Sequence, residues 1–278
     1  ADLLTGYTNL NSRRNPEMLS PEIYSLTAYR EWERVVDEWS ALVARTEAVA
    51  RALPDDYADA FWQLVRYPVL ACANLNELYH TVALNRWHAE QGRAGTNRLA
   101  ARARELFARD AELARIYNED VADGKWRHMM DQSNIGYTYW QQPDADAMPE
   151  VREIGVQAGA ALGMSVEGDT RAWPFTEGEA VLPVLSRSAD GDAVFGETFF
   201  EVYNRGRAPL SVSIESDADW VVVEPAEAGV REGATGRAET VQTDRRYRVS
   251  VDWERAPAGA ISAAVRVRHA SENGADES

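Results

Sequence analysis

The chain has 278 residues, 45% of them hydrophobic, which is enough for one large domain or two medium ones. Its net charge is −16 and Lys125 is its only lysine, so nucleic acid and anionic lipid are repelled as partners. No apolar run approaches the ~20 residues of a membrane span, and the single cysteine, Cys72, excludes an internal disulfide. The sequence opens Ala-Asp-Leu-Leu, without Met or a signal-peptide pattern, and reads as a segment of a longer polypeptide.

Residues 1–19 read as a polar leading segment. Ser20-Pro21-Glu22 then combines an N-cap residue, a first-turn proline and an acid at the positive end of the dipole. The helix predicted there carries Tyr29, Trp32, Val35, Val36, Trp39, Leu42, Val43 and Val49 in steps that mark one buried face, and ends near Leu53-Pro54. A second helix is predicted from Pro54-Asp55-Asp56, with Phe61, Trp62, Leu64 and Val65 inward and a kink or stop at Pro68. Helical spacing resumes over 69–91. Gly92 and Gly95 break it, and Thr96 opens a long helix through Leu106, Leu113 and Val121 that Asp123-Gly124 stops. A short helix is expected over 125–132. Short connections favour antiparallel neighbours, hence a helical bundle over 1–149.

After Pro149 the pattern changes. A linking segment rich in small residues covers 150–179. Strands are then predicted at 181–185, 198–203, 210–214, 220–223, 247–253 and 264–267, as an all-β sandwich over 180–270 with a polar tail at 271–278.

Standard catalytic motifs are missing. Gly124-Lys125 lacks the upstream glycine of a phosphate loop, and there is no cysteine pair for zinc and no Gly-x-Ser-x-Gly elbow. Glu77 and His80 have the Glu-x-x-His spacing of di-iron bundles, but one copy does not make such a site, and a hydrogen-bonded helix surface is the plainer reading. Asp144/Asp146 and Asp190/Asp192 lack a full calcium loop and read as solvated. No carboxylate pair is set apart for acid–base work, and no cofactor or metal is expected. Asn74, Asn76 and Glu77 read as ties between helix backbones.

One segment, 124–143, stands out. It gathers Trp126, His128, Gln132, Tyr137, Tyr139 and Trp140 with the lone lysine, two methionines and further amides. Rings that stack and amides that bind hydroxyls would make a sugar-facing surface. The other reading is that the rings pin the helices to a neighbour.

This segment, followed by Met148-Pro149, resembles the stretch after the catalytic barrel in family 115 glycoside hydrolases, the xylan α-1,2-glucuronidases. Arg13-Arg14-Asn15-Pro16-Glu17-Met18-Leu19, Asp59-Ala60-Phe61-Trp62-Gln63-Leu64-Val65, Asn74-Leu75-Asn76-Glu77-Leu78-Tyr79, Tyr117-Asn118, Val166-Glu167-Gly168 and Val251-Asp252-Trp253 agree in order. Asn15 stands where the family has Lys, and Asn134 where it has His, which weakens an acid–base role at 134.

The resemblance implies an inverting parent enzyme that removes glucuronic acid or its 4-O-methyl form from xylan. That enzyme would be secreted or periplasmic and often homodimeric, with its catalytic carboxylates in an upstream barrel of the same polypeptide. The present chain would then be non-catalytic, a helical bundle and an immunoglobulin-like β-sandwich. Trp126, His128, Gln132, Tyr137, Tyr139 and Trp140 would sit at the substrate rim or at the interface with the barrel. An independent carbohydrate-binding module and a self-contained enzyme built on the bundle are the competing readings.

Overall fold

A computed structural model describes residues 1–138, 142–188, 193–226, 239–241 and 244–269. A helical part is followed by antiparallel sheets, and the chain divides into two compact units, residues 1–87 with 96–153, and 88–95 with 154–278.

The helices are α1 (Asp2–Asn11), α2 (Glu31–Ala52), α3 (Ala58–Phe61), α4 (Tyr67–Gln91) and α5 (Thr96–Arg115). The presence of α1 corrects the expectation of a merely polar leading segment. Leu3, Tyr7 and Leu10 pack against Val35, Trp39 and Leu42 of α2, and Tyr7 meets Trp39 edge-on at 6.2 Å.

The helix expected at Ser20 does not form, and α2 starts only at Glu31. Side chains take the intervening backbone out of the helical ladder. The Ser25 hydroxyl accepts from the Thr27 and Ala28 N–H groups, while Glu31 accepts from the Ser25 N–H at 2.8 Å. Tyr29 and Arg30 then adopt φ of 57° and 52°, which no right-handed helix tolerates. Tyr29, expected on the buried face, is consequently exposed.

The α4 helix begins one residue before Pro68 and runs on without a break from the helical residues 58–66. The break predicted at the proline is absorbed by a π-turn over Trp62–Arg66. Leu64, expected inward, is exposed there. Cross-helix contacts fix α4 and α5 as antiparallel neighbours. Asn85 donates to the Thr96 carbonyl, Glu77 pairs with Arg102, and Asn74 donates to the Leu106 carbonyl, so the partner advances as the residue retreats. Asn74 thus reaches the α5 backbone as expected, whereas Glu77 pairs with a side chain and Asn76 donates to the Cys72 carbonyl of its own helix.

In the second unit β1 (Leu162–Val166), β4 (Glu197–Asn204), β8 (Asp244–Val251) and β6 (Val221–Pro225) form one antiparallel sheet in the order β1-β4-β8-β6. A second sheet runs β7 (Glu239–Val241), β5 (Leu210–Ser216), β9 (Val265–His269), and β2 (Ser186–Arg187) pairs with β3 (Ala193–Phe195). Phe200, Val202, Tyr247, Val249 and Val223 of the larger sheet share one apolar cluster with Leu210, Val212, Ile214 and Val241 of the smaller. The alternation along β4 and β5 is what places them there.

Two expectations are corrected here. The stretch read as a link contains β1, and 181–185 is not a strand; Val181 and Val184 stand exposed. Neither would bury an apolar face by pairing where they lie. The polar tail and Asp190/Asp192 lie outside the described residues.

A buried arginine organises this unit. Arg93, 1% exposed at its side chain, donates to Glu201 at 2.8 Å, to Ser165 at 3.0 Å and to Gln91 at 2.6 Å. Its guanidinium also lies 4.0 Å from the Tyr203 ring. Glu201 receives Arg246 as well, at 2.6 Å. Burial alone would push the Glu201 carboxyl up, but the two guanidinium groups outweigh it and hold the group below its usual range. The Ala94 N–H donates to the Asn204 carbonyl at 2.8 Å, fastening the same loop to β4.

Candidate functional site

The α5 helix passes into a π-turn, Ile116–Asp120, and is stopped by three successive positive-φ residues, Ala122, Asp123 and Gly124. The predicted stop signal therefore acts where it was read. The helix predicted beyond it, over 125–132, is a run of turns. His128 has φ of 69°, and a helix cannot pass through it.

Two polar clamps hold these turns. Asn118 donates to Asp131 at 2.9 Å while its side-chain oxygen accepts the Met130 N–H at 2.9 Å, and His128 Nδ1 lies 2.7 Å from the other Asp131 oxygen. Farther on, Asp146 Oδ1 accepts both the Asn134 and Ile135 N–H groups, at 2.6 and 2.8 Å. Gly136 has φ of 99°, and a Cβ there would meet Ala147 Cβ at 2.8 Å, so the chain passes close beside 146–147. Between the clamps Ile135 is wholly buried with Trp32, Leu78 and Leu106.

The predicted residues divide accordingly. Trp126 is half-buried against Tyr67, Leu70, Leu113 and Tyr117, with Lys125 Nζ 4.9 Å from its ring. His128 and Gln132 are exposed, and Gln132 Nε2 donates to the half-buried Tyr137 hydroxyl at 3.1 Å. Tyr139 and Trp140 lie outside the described residues.

Residues that sequence reasoning gave no role here do most of the holding: Asn118, Asp131, Asp146 and Asp110. Asp146 was read as solvated, yet it caps two backbone N–H groups. Asp110 is buried and accepts from Asn134 Nδ2 at 3.1 Å; burial pushes its carboxyl up, against the Asn134 hydrogen bond that lowers it. Only proximity in the fold reveals these partners, which stand 11 to 24 positions apart along the chain.

Among the described residues no group of three or more His, Cys, Asp or Glu side chains is placed to hold a metal. Glu77 is engaged by Arg102, and the His80 ring stacks on Trp32 at 5.6 Å with burial pushing its imidazole pKa down. Burial also pushes the Cys72 thiol up to about 11, which leaves it unreactive at neutral pH. Among the described residues no helix is long and apolar enough to cross a membrane.

No family model matches the chain, and no curated protein matches it. Among solved structures, it is similar to a family 115 4-O-methyl-α-glucuronidase with specificity for decorated arabinogalactans, at 16% identity and a TM-score of 0.34. The similarity covers 90% of this chain but only 36% of that one, so the chain spans about a third of that enzyme's length.

Proposed function

We propose that this chain is a non-catalytic portion of a xylan α-1,2-glucuronidase. On this reading the helical unit is an antiparallel bundle and the β unit an immunoglobulin-like sandwich that includes β1. They accompany a catalytic barrel of the same polypeptide. The parent enzyme would be secreted or periplasmic and homodimeric, and would release glucuronic acid or its 4-O-methyl form with inversion. The sequence resemblance supplies the substrate.

The observation that carries the non-catalytic part is how the carboxylates around 118–146 are used. Asp131 is held by Asn118 and His128, Asp146 by two backbone N–H groups, and Asp110 is buried against Asn134. Asp131 and Asp146 are exposed but committed to the turns they hold, and Asp110, the acid nearest Asp146, is buried, so each carboxylate serves the local structure. What the segment does present is His128 and Gln132, exposed, beside the half-buried rings of Trp126 and Tyr137. Such a surface suits a rim or an interface.

The experiment is turnover by the purified chain on glucuronoxylan and on decorated arabinogalactan. No uronic acid is expected in either digest. Release that a single Asp or Glu substitution within these residues abolishes would overturn the reading.

A further inference from the structure

The second unit carries a cleft of about 270 Å³ lined by Glu90, Gln91, Arg171, Phe175, Thr176 and Arg205, which has no part in the segment above. Phe175 is 53% exposed, and the Arg205 guanidinium lies against its ring at 3.7 Å. Arg205 Nε donates to the Gln91 carbonyl at 3.0 Å, and this fixes the plane of the fork. The remaining N–H groups of Arg205 have no acceptor among the described residues, and no carboxylate there pairs with it.

Arg171 differs. Asp169 neutralises it, with Nη2 2.6 Å from the carboxylate. Arg205 is therefore the guanidinium in this cleft with no carboxylate hydrogen-bonded to it among the described residues, and its plane is already set by Gln91. An arginine fork matches a carboxylate in two parallel hydrogen bonds. A planar carboxylate fits that fork better than a tetrahedral phosphate.

We propose that this cleft binds one carboxylate through the free N–H groups of Arg205, with Phe175 against the ligand's apolar face. A uronic acid and a plain organic acid share that chemistry. The uronic acid as source rests on the proposed function above, but the carboxylate does not. One charge-assisted pair at a half-open site implies millimolar affinity.

The test is an NMR titration of the full 278-residue chain with D-glucuronate, acetate, D-glucose and inorganic phosphate. Glucuronate is expected to bind at least tenfold more tightly than glucose and more tightly than phosphate. Arg205→Gln should weaken glucuronate at least tenfold with the circular dichroism spectrum unchanged. Phe175→Ala, which keeps the hydrogen bond from Arg205 to the Gln91 carbonyl, should weaken glucuronate several-fold and acetate less. Acetate as tight as glucuronate supports an organic acid as source; glucuronate tighter supports a uronic acid. Glucose or phosphate matching glucuronate, no binding by any probe, or an Arg205→Gln variant that binds as before would overturn the proposal. Each leaves the expected absence of turnover untouched, so the two readings fail separately.

Discussion

Arg93→Met is expected to destabilise the β unit by about 3 kcal/mol, a loss readable as a fall of roughly 10 °C in its unfolding midpoint. Breaking a buried ion pair by removing one partner typically costs about 3–5 kcal/mol, because the surviving charge is left in a poor medium. The lower end applies here, since Arg246 stays on Glu201 at 2.6 Å when Arg93 is gone. Methionine restores volume but leaves Ser165 and Gln91 without their donor. The effect depends on pH in a definite direction. The folded-state pKa of Glu201 is depressed, so its contribution is fully present above the unfolded value of about 4.3 and is lost as pH falls through the folded one. The gap between wild type and Arg93→Met should therefore be complete at neutral pH and narrow in strong acid. Circular dichroism melts at several pH values measure it, and equal midpoints at neutral pH would refute the role given to Arg93.

Ile135→Ala should cost the helical unit about 3–4 kcal/mol. The side chain is fully buried among Trp32, Leu78 and Leu106, and Ile→Ala changes at such positions cost about 2–5 kcal/mol depending on how far the site collapses. Collapse is restricted here, because Asp146 holds the backbone of Asn134 and Ile135 in place. The variant should also loosen the turns that present His128 and Gln132, seen as faster amide exchange over 125–138. Denaturant titration with a loss under about 1 kcal/mol would mean that Ile135 does not anchor the segment.

The local patterns that were legible are those whose physics is local. The strand over 210–214 alternates cleanly, and β5 follows it; 198–203 is marked instead by its aromatic and β-branched residues, and β4, buried on both faces, follows it. The long helix from Thr96 has one apolar stripe and a stop at Asp123-Gly124, and both appear. Strand β1 was hidden because its Leu-Gly-Met-Ser-Val run is weakened by Gly163. The structure shows why glycine is there: a Cβ would come within 2.1 Å of the Tyr203 ring on β4. The helix start at Ser20 misled because Ser25 and Glu31 divert the backbone, and those two residues look like ordinary helix-face polar groups in the sequence. Along 124–138, Trp126, His128, Gln132 and Tyr137 could be picked out by type. Their clamps could not, since Asn118, Asp110 and Asp146 act across separations that no motif encodes.

On the proposed function these units belong to a longer glycoside hydrolase. The intact mass of the natural protein, taken from its source by mass spectrometry, tests it most directly. A polypeptide well above 31.0 kDa that contains this sequence contiguous with a catalytic barrel is expected. A natural product at 31.0 kDa would contradict it.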